Sequence, residues 1–586
     1  MNWKSPLSLR NLICSVSLLG ASVWSQQFTA DQYKKAAWMT TRFYGGQRSG
    51  YNNWLLMSSS NAAYKTSFVK DFYNTTTDVN GGWFDCGDHV MFGQTQFSSA
   101  YILAKAYEQF PTGYHDLYNG TDYSDYAAKG SFGYADGTPN GIPDLLDELL
   151  FEADFLVKIT PNASTFIYQK GVGSVDHQRW VTAGREALLN VSLGGELDGS
   201  RTISAQPADA SMPSFVAATL AVLSRVMQAT NPTLAATFKT HAEYAYQYAT
   251  NHPGTVDDFG DCNGTNCYKA NAKWQDDYAT ASLEMYKLTN TASYQTSAYN
   301  HWSDLSGGST WGFDYDNNDP LAYYAFATLA DDADGLTKLD ELITGYMNSP
   351  SSEGITTSGN VSWGSMRYVG NVAYLMALYN KASGTTKWKT ALYKHIDFLL
   401  GANTTKQSFI VGYCEGCSKQ PQHPHHRNVY LNNNNPDDAG KQAMVIPTNN
   451  KLFGALVGGG NGRTSDIYKD EIITYAASEV CTDYNAGLVG ALGAIVAEKA
   501  AAIAVRPTIK TALSGFFMMQ NGSDYVFSSH NGKPFTVDII NLQGEKVAHL
   551  NVTGTQANWH PAAQGLYHAV ANSETAHQVF QVAVTR

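Results

Sequence analysis

Gly81-Gly-Trp-Phe-Asp85-Cys-Gly-Asp88-His-Val-Met-Phe92 sets two carboxylates three residues apart among glycines and aromatics. Glycine reaches backbone shapes that other residues resist, so a Gly-Gly entry and a Gly between the two Asp suit a tight turn. Two close carboxylates repel, and one tends to keep its proton unless water or donors relieve the pair. Such a pair can grip a water molecule and remove its proton. By spacing alone the plainer reading, a polar turn carrying two solvated Asp, is favoured. The rest of the chain decides between them.

On both sides of this string the sequence is periodic. Apolar residues recur at three- and four-residue spacing around Trp38, Phe97–Phe110, Leu145–Ile159, Phe215–Met227, Phe238–Tyr248 and Tyr278–Leu288. The pattern continues at Tyr294–Leu305, Leu321–Leu329, Leu336–Met347, Val372–Tyr379, Trp388–Leu400 and Tyr484–Ala497. This is the signature of amphipathic helices. About a dozen of them, joined by long loops rich in Gly, Asn and Asp, suit a toroid of paired helices or a helical solenoid. Loops of that length in a compact domain usually carry function.

Four further strings concentrate chemistry. Asp176-His177-Gln-Arg-Trp180 offers a His and a Trp three apart. Trp363-Gly-Ser-Met-Arg367-Tyr368 pairs a stacking face with a guanidinium able to donate two parallel hydrogen bonds. His423-Pro-His425-His-Arg427 has the look of a metal-binding tract. Glu479-Val-Cys481-Thr-Asp-Tyr484-Asn-Ala carries an isolated acid ahead of a helix. Read one by one, each has a bland alternative: a core Trp beside a satisfied His, or a solvated acidic turn.

Together, and in this order, the strings resemble glycoside hydrolase family 9, the inverting cellulases. Asn140-Gly-Ile-Pro-Asp-Leu-Leu-Asp-Glu-Leu is similar to another family segment downstream of the Asp pair. The resemblance implies an all-α catalytic domain, an (α/α)6 barrel, acting as an endo-β-1,4-glucanase on cellulose and related β-glucans. It makes Glu479 the general acid, Asp88 the general base and Asp85 a second grip on the water. In inverting glycosidases these acid and base groups stand roughly 6.5–9.5 Å apart. The resemblance also implies substrate roles for His177, Trp180, Trp363, Arg367, His425, Arg427 and Tyr484, with no metal or cofactor in the chemistry. A structural calcium ion is implied at Asp276, Asp277 and Asp316, where Asp277 stands in place of the family's Glu. An exo-acting cellodextrinase and a mixed-linkage glucan or xyloglucan hydrolase are alternatives on the same machinery. A silent cellulose-binding protein is disfavoured, because all three acids are retained.

Two departures from the family pattern fall beside those acids. Cys86 and Cys481 both stand where Ala is usual. Because the acid and base lie only several ångströms apart, these cysteines are placed to reach the roughly 4.4–6.8 Å Cα separation of a disulfide. Cys262–Cys267 and Cys414–Cys417 would then close local loops, with a four-thiolate zinc site as the rival for those four.

Composition and the ends of the chain fit export. Lys4 and Arg10 precede an apolar run from Leu12 to Trp24, which reads as a signal peptide over residues 1–25. Removing it takes away Cys14 and leaves six cysteines, an even number that suits disulfides in an oxidising compartment. The net charge of −12 disfavours nucleic acid and anionic membranes as partners. A secreted or cell-surface monomer is expected, with its catalytic domain over residues 26–503. Residues 504–586 change character: Phe535–Leu542, Lys546–Leu550, Gly565–Val570 and Val579–Val584 alternate as strands of a small all-β sandwich. Its Asn-Leu-x-Gly turn and Gly-Leu-Tyr strand resemble the sorting modules of type-nine secretion substrates, with a small carbohydrate-binding module as the rival.

Overall fold

The computed structural model describes residues 27–49, 79, 81–117, 142–177, 180–186, 189–190, 203–205, 207–255, 267–268, 273–306, 312–357, 362–432, 444–448, 451–460 and 464–505 of the first part of the chain. Further on it describes 516–521, 524–529, 534–541, 545–553, 556–563, 565–573 and 577–584. The expected signal peptide lies outside the described residues. The chain divides into two compact units, Met1–Ala500 and Ala501–Arg586.

Among the described residues the first unit holds twelve helices of eight residues or more. They are α1 (Ala30–Gln47), α2 (Gly93–Gln109), α3 (Asp144–Ile159), α4 (Ser211–Met227), α5 (Pro232–Asn251), α6 (Gln275–Thr289), α7 (Ala292–Tyr299), α8 (Asp319–Leu329), α9 (Ala333–Met347), α10 (Ser365–Ser383), α11 (Lys389–Leu400) and α12 (Thr482–Val505). Consecutive helices pack as hairpins, α4 on α5, α8 on α9 and α10 on α11. Alternate helices also touch: α2 meets α4, α4 meets α6, and α6 meets α8. That is the inner and outer ring of an (α/α)6 barrel. Inner helices such as α4 and α10 are buried along nearly their whole length, whereas α9 buries only Gly335, Leu339 and Ile343. Helix α12 has no room for bulk on its buried side: a Cβ at Gly487 would lie 2.2 Å from Asn371 Oδ1. None of the described helices is long and apolar enough to cross a membrane.

Sequence periodicity placed these helices well, with one difference. The stretch expected to run from Tyr294 to Leu305 stops at Tyr299, and Trp302–Asp304 tightens into a 3-10 turn. There Asp304 N and Leu305 N donate three residues back, to His301 O and Trp302 O, the tighter bonding of a 3-10 turn. A small antiparallel sheet had no counterpart in the sequence reading. Its strands β1 (Met91–Phe92), β2 (Ile167–Lys170) and β3 (Ile203–Ala205) hold the exit of the Asp85–Asp88 turn, and a separate antiparallel pair, β4 (Tyr430–Asn432) and β5 (Met444–Pro447), lies beyond the His423–Arg427 string.

The second unit is two antiparallel sheets around one core. One has the order β10-β7-β6, the other β12-β11-β8-β9. Here β6 is Phe516–Asn521, β7 Asp524–Ser529, β8 Phe535–Asn541, β9 Lys546–Val552, β10 Gln556–Trp559, β11 Gly565–Asn572 and β12 His577–Val584. Tyr525, Phe527, Val537, Ile539, Trp559 and Val582 share that core.

Candidate active site

Helix α1 ends beside the Asp turn and holds it. Phe84 N donates to Gln47 O at 2.8 Å, and Ser49 N to Gly82 O at 2.8 Å. Gln47 Nε2 donates to Cys86 O at 2.7 Å. Gly81 and Gly82 take positive φ values of 114° and 76°, the left-handed region that only Gly enters freely. Across the turn lies the His423–Arg427 loop. Arg427 N donates to Gly87 O at 2.8 Å, and a Cβ on Gly87 would meet His425 O at 2.2 Å. No other residue fits there. The Glu479 segment completes the junction: His425 N bonds Ser478 O at 2.9 Å, Gly458 N bonds Glu479 O at 2.9 Å, and Thr482 N bonds Asp85 O at 2.7 Å. The Asp turn, the His loop and the Glu479 segment are thus tied by backbone, immediately before α12.

The two Asp residues have opposite electrostatics. Asp85 is fully buried, and its Oδ2 accepts from the Tyr268 hydroxyl at 2.5 Å. Burial and the charge of Asp88 push its pKa well up, Glu479 adds to this, and the Tyr268 bond opposes it. Burial would raise Asp88 too. The His177 charge and hydrogen bond, the Arg427 charge and the Val90 N–H outweigh it and hold Asp88 below the usual carboxylate range. His177 Nε2 stands 3.2 Å from Asp88 Oδ2, and Val90 N donates to Asp88 Oδ1 at 2.8 Å. Asp88 is therefore biased toward the carboxylate and Asp85 toward the acid of the pair. Glu479 is half-buried on the facing segment.

Behind this pair lies a buried ionic network. Arg427 Nη1 pairs with Asp176 Oδ1 at 2.5 Å, its Nη2 donates to Asp176 O at 2.5 Å, and the guanidinium sits over Trp180. His89 Nδ1 bonds Glu186 Oε2, both fully buried. His426 accepts from Asn428 N on Nδ1 (3.2 Å) and so donates from Nε2 to Gln47 Oε1 (2.7 Å), a neutral tautomer that fits its pKa, lowered by burial.

The residues expected to bind substrate divide into two groups. Trp363 is 41% exposed, with the Tyr475 ring tilted beside it at 5.2 Å, and His177 is half-buried over Asp88. Arg367 and Arg427 differ from the expectation that they fix sugar hydroxyls. Both are buried and committed to carboxylates, Arg367 to Asp483, so in this arrangement they brace the site. Trp180 and Tyr484 are buried under His425 and Arg367 rather than open for stacking. His425 is also mostly buried, its Nδ1 donating to Ile472 O at 2.7 Å.

Cys86 and Cys481 are joined in a disulfide with Cα atoms 3.8 Å apart, closer than the expected range. Cys414 and Cys417 form another, and Cys267 is also disulfide-bonded; Cys262 lies outside the described residues. At the start of α6, Asp276 and Asp277 are buried and each leaves one Oδ1 without a hydrogen-bond partner. Burial raises Asp277, as do Asp276, Asp209 and Asp316 through charge; burial and Asp319 raise Asp276 to about 6. Crowded carboxylates with orphaned oxygens fit an oxygen-liganded cation.

Several functional neighbours were not singled out from sequence. Asp176 and His89 stood inside quoted strings without a role. Tyr268, Glu186 and Gln47 carry no local signal at all.

A helical barrel whose buried Asp pair faces a half-buried Glu has the equipment of a two-carboxylate hydrolase. Residues 33–492 match the family described as glycosyl hydrolase family 9. The chain is 36% identical to Endoglucanase A of Fibrobacter succinogenes over 72% of its own length and 92% of that protein. Endoglucanase A of Bacillus pumilus is 27% identical over 81% of this chain and 68% of its own. Among solved structures, the endoglucanase of the termite Nasutitermes takasagoensis aligns with a TM-score of 0.63 at 24% identity, over 80% of this chain and 99% of that one. Endoglucanase CelQ of Clostridium thermocellum, complexed with cellobiose and cellotriose, aligns with a TM-score of 0.60 at 23% identity, over 87% and 81%. The chain belongs to glycosyl hydrolase family 9 and is a glycoside hydrolase.

Proposed function

We propose that this hydrolase is an inverting endo-β-1,4-glucanase. The observation that carries the reading is the unlike setting of the Asp pair opposite the half-buried Glu479: His177 Nε2 at 3.2 Å and the Val90 N–H face Asp88 and favour its carboxylate form, while Asp85 is fully buried against the Tyr268 hydroxyl. Its likeness to endoglucanases supports the substrate class. Asp88 takes a proton from water as the water oxygen bonds to the anomeric carbon. The bond to the leaving sugar oxygen breaks, and Glu479 gives that oxygen its proton. Asp85, protonated and held by Tyr268, donates to or orients the same water. Glu479 must then regain a proton and Asp88 lose one before the next turnover. Trp363 and Tyr475 offer faces for sugar rings.

Residues 1–25 direct export in this reading, and the C-terminal sandwich serves sorting to the cell surface. Asp276 and Asp277, with Asp316 nearby, would hold a calcium ion whose part is structural. The test of the central reading is viscosity loss of carboxymethylcellulose against reducing ends released. A steep viscosity drop at few cuts supports internal cleavage. Reducing ends without viscosity loss would indicate exo action, and activity only on mixed-linkage glucan or xyloglucan would reassign the substrate.

A further inference from the structure

The disulfide between Cys86 and Cys481 lies inside the machinery rather than beside it. Both cysteines are 3% exposed. Cys86 sits within the turn that carries Asp85 and Asp88; Cys481 follows Glu479 by two residues. The two Sγ atoms and a Glu479 carboxylate oxygen all lie within 4.8 Å of one another. On the other side the Tyr268 hydroxyl is 3.0 Å from Cys86 Sγ while it donates to Asp85. One covalent unit therefore touches the acid and also the group that holds the second Asp. The span it closes is 395 residues, so sequence neighbourhood does nothing to keep these segments together.

We infer that the Cys86–Cys481 disulfide is a positioning element of catalysis, fixing the spacing and surroundings of Glu479 relative to the Asp85–Asp88 turn. The inference rests on the proposed roles of Glu479 and Asp88. Backbone bonds such as Thr482 N to Asp85 O would keep the two segments adjacent after reduction. Two thiols, however, need more room than one S–S bond, because non-bonded sulfurs stand well beyond the 2.03–2.05 Å of a disulfide. The opening falls on the carboxyl of Glu479 and on Tyr268. A misplacement of about 1 Å can cost on the order of a hundredfold in rate.

The experiment compares oxidised and reduced full-length enzyme on cellopentaose, well below either form's melting temperature. A dithiol reductant supplies two electrons and two protons, becomes a cyclic disulfide and leaves two cysteine thiols. Alkylation and peptide mapping identify which bonds opened. The expected result is a fall in kcat of at least about tenfold with KM within about twofold, a displaced basic limb of the pH–rate profile, and recovery on reoxidation. Cys86→Ser/Cys481→Ser, which leaves two unbonded polar groups in the same space, should show the same kcat loss and no response to dithiol. Cys414→Ser/Cys417→Ser should behave as wild type, oxidised and reduced. If enzyme in which mapping shows both Cys86 and Cys481 reduced keeps its kcat and pH profile while only Tm falls, the bond is a brace for stability and the inference is overturned. The proposed activity is judged separately, by whether the oxidised wild type cleaves β-1,4-glucan at all. Were it to act on another glycan, the same ratio would be read on that glycan.

Discussion

His177→Ala tests what sets the base apart from its neighbouring Asp. His177 Nε2 is 3.2 Å from Asp88 Oδ2, with side chains 28% and 11% exposed, so solvent screens the pair only partly. At an effective dielectric of about 20 their attraction is at most about 5 kcal/mol. Opposite charges this close typically lower a carboxyl pKa by about 1–3 units. Without the imidazole, Asp88 keeps Arg427 and the Val90 N–H but still bears the upward push of burial. Its folded pKa therefore rises, and a base with a higher pKa is ionised only at higher pH. The acidic limb of kcat/KM should move up by about 1–3 pH units, which below the new limb is roughly a tenfold to thousandfold loss. On the plateau above it the variant should lose far less. His177→Gln can keep a hydrogen bond without the charge and should fall between the two. The assay is initial rates on cellopentaose from pH 3 to 9. A limb that stays in place while the whole profile drops evenly would refute the argument and return His177 to a role on a sugar hydroxyl.

Asp88→Asn and Glu479→Gln should each reduce kcat by several orders of magnitude while circular dichroism and Tm stay near wild type; a retained kcat in either would remove that residue from the mechanism. Glu152 is raised from 4.5 to about 8 by burial, with the Gln96 hydrogen bond opposing. A raised acid destabilises the fold as pH climbs from its unfolded value toward its folded one. Stability should therefore fall between pH 4.5 and 8, by on the order of a few kcal/mol. Glu152→Gln should flatten that fall in urea melts, and an unchanged slope would count against it. Exhaustive chelation should lower Tm by at least about 2 °C, with recovery on adding calcium, since a ligand at a hundred times its Kd contributes about 2.7 kcal/mol. No Tm change and no bound metal by elemental analysis would dismiss the ion at Asp276 and Asp277.

The helices were legible because apolar residues at three- and four-residue spacing are a local property of the chain, and α2, α4 and α11 follow that spacing closely. Strand β8 was legible for the same reason, its buried positions alternating. The continuous run Phe516-Phe-Met-Met in β6 carries no alternation, and β6, β7 and β10 went unread. At the site, contiguous strings pointed to Asp85, Asp88, His177 and Glu479. They could not reveal what those residues meet. Tyr268 reaches Asp85 across 183 residues, Glu186 reaches His89 across 97, and Gln47 reaches Cys86 across 39. Charge alone was also a poor guide to exposure. Arg367 and Arg427 resemble sugar ligands in sequence, but the fold encloses each with its own carboxylate.

The central claim is a single displacement with Asp88 as base and Glu479 as acid, and the anomer of the first-formed product tests it most directly. Proton NMR on a concentrated cellopentaose digest, recorded within the first minutes and ahead of mutarotation, should show new reducing ends entering as the α-anomer. The β signal should then grow only at the rate of mutarotation. New ends that enter as the β-anomer and relax toward α would mean a double displacement, and would contradict the account.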